Sequence, residues 1–293
     1  MKIHWQSKLV LLLVLPFAVA GVVLQAHWWA VNLGPVALWT LTLSLLLGLV
    51  TWKLGAATAD GALCGAVITA SLMFSTANFP YRPWRTALIP VLAVSLLAHF
   101  ATRMGRERKE RLGTAERREG RNGAQIAANL GIAALACHEF TQGWLIDSHW
   151  VAPARLAGML IFAPGLAALA EAAADTVSSE VGQVFGGQPR LITTLRRVKP
   201  GTDGAISLLG SLAGAGAAAL VALAGSLALG GGVSLFWISL AGGVFGLLFD
   251  SLLGATVERR GRLNNDAVNF LSTVSAAGFA LAVMAALAHL EME

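Results

Sequence analysis

Apolar residues run almost unbroken along this chain, and the few charged positions cut it into lengths that suit a bilayer. No charged residue occurs between Lys8 and Lys53. That stretch is too long for one crossing at roughly 20 apolar residues per membrane helix. His27-Trp28-Trp29 divides it, with tryptophans suited to a membrane interface. The uncharged run from Gly204 to Phe249 divides at Gly230-Gly231-Gly232, a natural turn. The pattern predicts an all-α, polytopic transmembrane bundle of about nine helices, near 9–26, 33–52, 57–76, 84–102, 123–142, 153–173, 204–228, 233–256 and 267–289. The third and sixth of these carry internal acids and small residues and are the least regular spans.

Charge placement orients the bundle. With a cytoplasmic N-terminus, the inward segments hold Lys2, Lys8 and Lys53; Arg103, Arg106, Arg108, Lys109, Arg111, Arg117, Arg118 and Arg121; Arg190, Arg196, Arg197 and Lys199; and Arg259, Arg260 and Arg262. These are 18 of the 21 basic residues, leaving Arg82, Arg85 and Arg155 outside. Nine crossings in an inner (cytoplasmic) membrane therefore satisfy the positive-inside rule, and Glu291 and Glu293 fall on the outer face. Residues 1–293 read as one integral membrane domain without an internal repeat. Its one substantial soluble segment is the mixed-charge loop 103–122, which suits an amphipathic helix on the cytoplasmic surface. That loop is either an orientation signal touching anionic lipid or an electropositive patch near a phosphorylated substrate.

Composition agrees: 56% of residues are hydrophobic and 13% charged, against about a quarter charged in soluble domains. The net charge of +5 follows from topology and not from nucleic-acid binding, since no soluble basic domain exists to hold a duplex. Cys64 and Cys137 lie in apolar stretches and form neither a disulfide framework nor a metal cluster. The N-terminus resembles a signal peptide, but no small-residue cleavage site follows, so a retained first helix is expected.

Three polar clusters stand beside or within these spans, where charge is costly. In the first, Glu171, Asp175, Ser178 and Ser179 share one helical face, at the cytoplasmic end of the sixth helix. Two carboxylates and two hydroxyls there suit Mg²⁺, or simply a polar helix end reaching water. The second runs from Arg190 through Thr193, Thr194, Arg196, Arg197 and Lys199 to Pro200-Gly201-Thr202-Asp203-Gly204, a turn closing on a helix N-terminus. It reads equally as an anion site or as an ordinary cytoplasmic turn. The third holds Asp250 inside an apolar helix, then Ser251, Gly254, Thr256 and Glu258, followed by Asn264, Asn265, Asp266 and Asn269. Close packing explains its glycines but not the aspartate, which calls for a cation, a metal or a lipid head group. All three clusters arrive on one side, and together they make a toolkit for phosphoryl transfer. There is no P-loop, and Gly214-Ala215-Gly216 lies in a span, where it is not a dinucleotide motif. Asp60 and Glu139 are isolated acids, either pathway residues or partnered structural groups.

The clusters resemble an integral membrane family long labelled only as a domain of unknown function, which includes the plant phytyl-phosphate kinase. Its pattern Asp-Thr-x-x-Ser-Glu-x-Gly appears as Asp175-Thr176-Val177-Ser178-Ser179-Glu180-Val181-Gly182, with Val177 and Ser178 where the family usually has Trp-Ala. Arg190-Leu191-Ile192-Thr193-Thr194 with Gly201-Thr202-Asp203-Gly204 resembles a second signature. Asp250-Ser251, Gly254, Thr256, Asn264-Asn265 and Asn269 resemble a third, and Thr102-Arg103, Gly105, Lys109, Gly113, Arg121, Gln125 and Asn129 resemble its long-loop motif.

The resemblance, over roughly residues 40 to 285, implies a kinase distantly similar to phytol and dolichol kinases. It would transfer phosphate from CTP or another nucleoside triphosphate to a prenyl monophosphate. It implies that Asp175, Glu180 and Asp250 are catalytic and bind Mg²⁺ or the nucleotide phosphates. Thr176, Ser179, Arg196, Arg197, Lys199, Gly201, Thr202, Asp203, Gly204, Ser251, Thr256, Asn264, Asn265 and Asn269 would bind nucleotide or phosphate. Arg103, Lys109, Arg121, Gln125 and Asn129 are its candidates for the substrate head group, with the lipid tail between helices. A cytidylyltransferase releasing diphosphate would use the same carboxylates. A lipid-phosphate transporter or flippase would use Asp60, Glu139 and Asp250 as pathway charges.

Overall fold

The computed structural model describes residues 5–116, 118–147 and 159–290. Lys2, Arg117, Arg155, Glu291, Glu293 and the first part of the expected helix 153–173 lie outside them. Eleven α-helices occur among the described residues: α1 (Trp5–Asn32), α2 (Gly34–Lys53), α3 (Ala59–Ser75), α4 (Leu88–Arg103), α5 (Arg106–Leu112), α6 (Gly123–Cys137), α7 (Glu139–Asp147), α8 (Ala163–Phe185), α9 (Leu208–Leu229), α10 (Gly232–Leu253) and α11 (Asn265–Leu290). Six of them (α1, α2, α8, α9, α10 and α11) are long and apolar enough to cross a membrane. The pair α4–α5, bent by 68°, makes a seventh. The apolar helices α3 and α6 are shorter, at 17 and 15 residues. Each of the nine expected helices has a counterpart, but fewer than nine reach full spanning length.

Some boundaries differ from expectation for local reasons. His27-Trp28-Trp29 does not break α1, because none of the three opposes helical geometry; the break comes at Leu33, before Pro35 in the first turn of α2. Among the described residues the sixth expected helix begins at Ala163 and ends at Phe185. The first polar cluster therefore lies inside a helix and not at its end. The Pro200 turn does not lead directly into a helix. Its Gly204 takes a left-handed conformation (φ 72°), and two short strands, β1 (Arg190–Leu191) and β2 (Ala205–Ile206), pair antiparallel before Ser207 caps α9 through Gly210 N–H. The three-glycine turn between α9 and α10 is as expected, with Gly230 left-handed at the α9 C-cap.

Helix α8 is the axis of the bundle, with α9, α10, α11, α6 and α4 packed around it. Small residues make this possible. A Cβ at Gly210 would lie 2.7 Å from the Ser178 carbonyl oxygen, and one at Gly214 would lie 2.8 Å from that of Ala174. On α10, Gly243 stands against Ala170 and Gly246 against the Glu171 side chain. Lipid supplies no hydrophobic drive between helices, so this close backbone approach is what holds them together.

The loop expected as a solvated surface helix is only partly that. Its helical portion is the seven-residue α5, and Lys109 within it is fully buried. Gly105, left-handed at φ 61°, sits against Val184 of α8 and turns the chain inward.

Candidate active site

Around the C-terminal half of α8 the helices enclose a polar cavity of about 260 Å³. Helix α8 contributes Asp175, Thr176, Ser178, Ser179, Glu180 and Gln183. From α10 and the π-helical segment Gly254–Glu258 that follows it come Asp250, Ser251 and Glu258; from α11, Asn265 and Asn269. The turn at 201–204 closes one side, and Arg121, Gln125 and Asn129 close another. The three polar clusters, spread over almost a hundred residues, thus meet in one place.

The turn and the π-helical segment are fitted to each other. A Cβ at Gly254 would fall 2.7 Å from Gly204 N, and one at Gly204 would strike the Ala255 backbone. Only glycines allow this contact, and it holds Asp203 near Glu258 at the cavity wall.

At the floor, the carboxyl groups of Asp175 and Asp250 meet within hydrogen-bonding reach, with Glu171 beside them and Ser272 of α11 near both Glu171 and Asp250. Asp250 Oδ2 and Glu171 Oε1 are buried with no hydrogen-bond partner among the described residues. Such oxygens are expensive to leave unsatisfied, so they call for a hydrogen-bond donor, a proton or a cation. Six carboxylates line the cavity (Glu116, Asp175, Glu180, Asp203, Asp250 and Glu258) against one basic residue, Arg121. Asp175, Asp203, Asp250 and Glu258 make no ion pair among the described residues.

Among the described residues no three His, Cys, Asp or Glu side chains form a complete metal cage. The donor set fits Mg²⁺ nonetheless, because that ion is commonly held by one or two carboxylates, with water and substrate phosphate completing its shell.

Other residues expected at the site are placed elsewhere. Lys109 Nζ lies 2.5 Å from Glu180 Oε2 and donates to the carbonyls of Ala101 (3.1 Å) and Thr102 (2.6 Å), so it partners Glu180 and does not line the cavity. Arg103 donates to the Leu54 carbonyl at 2.7 Å. Arg196, Arg197 and Lys199 are exposed and do not line the cavity, because the β1–β2 pairing turns their loop outward. Asn264 caps α11 by accepting from Ala267 N–H and donates to Ser7 of α1. Thr256 donates to the Leu252 carbonyl at 2.6 Å.

Arg121 is fixed by its backbone. Its N–H donates to the Ala56 carbonyl and its own carbonyl accepts from Thr58 N–H, both at 3.0 Å. The guanidinium reaches Thr102 and Glu116.

The two isolated acids are partnered. Asp60 accepts from the Thr58 hydroxyl and from Gly123 N–H, tying α3 to α6, and Glu139 accepts from Gln25. Sequence reading did not single out Gln183, Ser207 or Glu116. Gln183 follows Asp175 and Ser179 at the helical spacing of four, a signal that was available. Ser207 and Glu116 carry none, since each depends on how a loop folds back.

A helical bundle with an acidic cavity among apolar helices long enough to span a bilayer defines an integral membrane protein. Comparison with known proteins names the family. Residues 42–277 match the family described as integral membrane protein DUF92, and the chain belongs to it. It is 47% identical over 109 residues to the uncharacterized membrane protein MJ0933 of Methanocaldococcus jannaschii, covering 37% of this chain and 45% of that one. Over 214 residues it is 34% identical to the uncharacterized membrane protein sll0875 of Synechocystis, covering 69% and 75% of the two chains. Protein VTE6, chloroplastic, of Arabidopsis thaliana is 30% identical over 154 residues, covering 52% and 43%. No solved structure matches the chain.

Proposed function

We propose that this protein is a membrane prenyl-phosphate kinase, moving a phosphoryl group from a nucleoside triphosphate, CTP foremost, to a prenyl monophosphate. The observation that carries this reading is the cavity itself. Carboxylates of α8 and α10 face a glycine-rich turn and two asparagines, with so little positive charge that a polyphosphate would be repelled unless divalent cations accompanied it. The motif resemblance to the family that includes the plant phytyl-phosphate kinase supplies the reaction, and membership of an integral membrane family accords with a lipid substrate. The positive-inside distribution supports a cavity on the cytoplasmic face of an inner membrane, where nucleotides are available.

Mg²⁺ would supply charge neutralisation for the phosphates in such a transfer. Asp175 and Asp250 would hold it. Glu180, held by Lys109, would add a further carboxylate at the cavity wall. Thr176, Ser179, Ser251 and the 201–204 turn would position the triphosphate, with Asn265 and Asn269 opposite. Arg121 would take the acceptor phosphate. An oxygen of that phosphate attacks the terminal phosphorus, the bond to the bridging oxygen breaks, and nucleoside diphosphate leaves. The acceptor is already anionic, so no general base is needed, and the protein positions and neutralises.

The test is purified protein in detergent with geranylgeranyl or phytyl monophosphate and each nucleoside triphosphate, with and without Mg²⁺. Prenyl diphosphate and nucleoside diphosphate are the expected products, lost on chelation. Release of inorganic diphosphate would instead mark a cytidylyltransferase. Asp175→Asn and Asp250→Asn should each lower turnover at least about 100-fold, as for other charge-stabilising groups, while remaining monodisperse. Full activity in both would overturn the site.

A further inference from the structure

We propose that a narrow apolar groove between α3 and α4 holds the prenyl chain of the lipid phosphate; the inference rests on the lipid-phosphate reading above and locates the tail. The groove has a volume of about 80 Å³ and shares three lining residues with the polar cavity: Arg121, Asn129 and Thr176. These three form the boundary between a charged chamber and an apolar one. An amphiphile with a phosphate at one end and a hydrocarbon chain at the other spans such a boundary.

The groove arises because α3 and α4 barely touch, although they are consecutive long helices. Helix α3 presents Gly61, Gly65 and Thr69, each four residues from the last. Helix α4 presents Val91, Val94 and Ala98 across from them. The eight helical steps from Gly61 to Thr69 give the groove a length of about 12 Å at 1.5 Å per residue. The Thr69 hydroxyl donates to the Gly65 carbonyl at 2.7 Å, and that of Thr51, also in the lining, donates to the Gly48 carbonyl at 2.9 Å. Both are satisfied within or beside their own helix turns and ask nothing polar of an occupant. The glycines keep the wall low, and the small volume suits a slender chain over a fused ring system. A larger apolar recess around Trp39 and Trp84 shares no lining residue with the polar cavity, so it offers a tail no connection to the phosphate site.

Gly65 is the position at which to close the groove. A Cβ there meets only Ile126 Cγ2, at an ordinary 3.7 Å, so a side chain can project without moving backbone. A geranylgeranyl monophosphate carrying a diazirine on its second isoprene unit, within the roughly 12 Å that the groove spans, is photolysed with the full-length protein in nanodiscs, and the labelled peptides are read by mass spectrometry. The label should fall on the α3 or α4 lining, be competed by unlabelled geranylgeranyl monophosphate, and drop at least about tenfold in Gly65→Phe, a pocket-blocking effect of ordinary size. Leu63→Phe, at an exposed position on the same helix, should leave labelling unchanged. Label at the Trp39–Trp84 recess, label that unlabelled lipid does not compete, or undiminished labelling in Gly65→Phe would overturn the proposal. The readout needs no turnover. Groove labelling without kinase activity would therefore sink the kinase reading and leave the tail site standing, and the reverse would do the opposite.

Discussion

The ammonium of Lys109 has three protons and three acceptors around it: Glu180 and the carbonyls of Ala101 and Thr102. Its side chain is fully buried while that of Glu180 is 12% exposed, so water does little to screen the pair. Removing one member of a buried pair strands the other charge. Lys109→Met should therefore cost about 3–5 kcal/mol, read as a shift of the unfolding transition in detergent. Adding Glu180→Gln to that variant should recover much of the loss, because the stranded charge is gone; an equal loss in the double variant would show that Lys109 acts through packing alone. The sequence marks Lys109 and Glu180 as polar residues near a membrane face, but not as partners. They are 71 positions apart, and only the inward turn at Gly105 brings them together. Arg196, Arg197 and Lys199 are the converse case. Their charge is obvious in the sequence, and the two-residue strand pair that turns them outward leaves almost no trace there.

Helix α9 carries two glycines that look alike in sequence and differ in surroundings. A Cβ at Gly214 would sit 2.8 Å from both the Ala174 carbonyl and the Ser178 side chain of α8, whereas one at Gly216 would meet nothing within 4 Å. Gly214→Ala should push α9 off α8 and cost about 1–3 kcal/mol, the usual range for overpacking. Gly216→Ala should stay within about 0.5 kcal/mol of the parent. Equal behaviour of the two variants in detergent unfolding would remove close α8–α9 packing as the basis of the fold. The displacement would also be felt in the cavity, because Ser178, Ser179 and Asp175 ride on the same stretch of α8. The all-helical membrane class was legible at this scale, since long apolar runs and their glycine breaks are direct consequences of the bilayer. The number of spans was legible only approximately, because α3 and α6 fall short of full spanning length. The register of α8 was not. Its polar residues look like a helix end when read against lipid, and they become interior only once five neighbouring helices surround them.

At the scale of the molecule, the 18-to-3 division of basic residues makes one arrangement of the whole bundle testable. Loops at 103–122, 190–204 and 259–262 should share the cytoplasmic side with the cavity, and Gly230 in the α9–α10 turn should face the other way. The two native cysteines are buried, Cys64 at 4% and Cys137 at 3% exposure, so they should contribute little background to thiol labelling and can be replaced if they do. Arg108→Cys, Arg197→Cys and Arg260→Cys should react with a membrane-impermeant maleimide in inverted vesicles but not in intact cells. Gly230→Cys should react in intact cells. The arrangement matters chemically as well as topologically. Four of the cavity's carboxylates have no ion pair among the described residues, so under the proposed kinase reading the chamber would draw its cations from the adjoining solution. The cytoplasm supplies both Mg²⁺ and nucleotide, whereas the outer face supplies no nucleotide. Labelling of Arg108→Cys or Arg260→Cys from outside would therefore reverse the bundle and cut the proposed site off from nucleotide, whatever the geometry of Asp175 and Asp250.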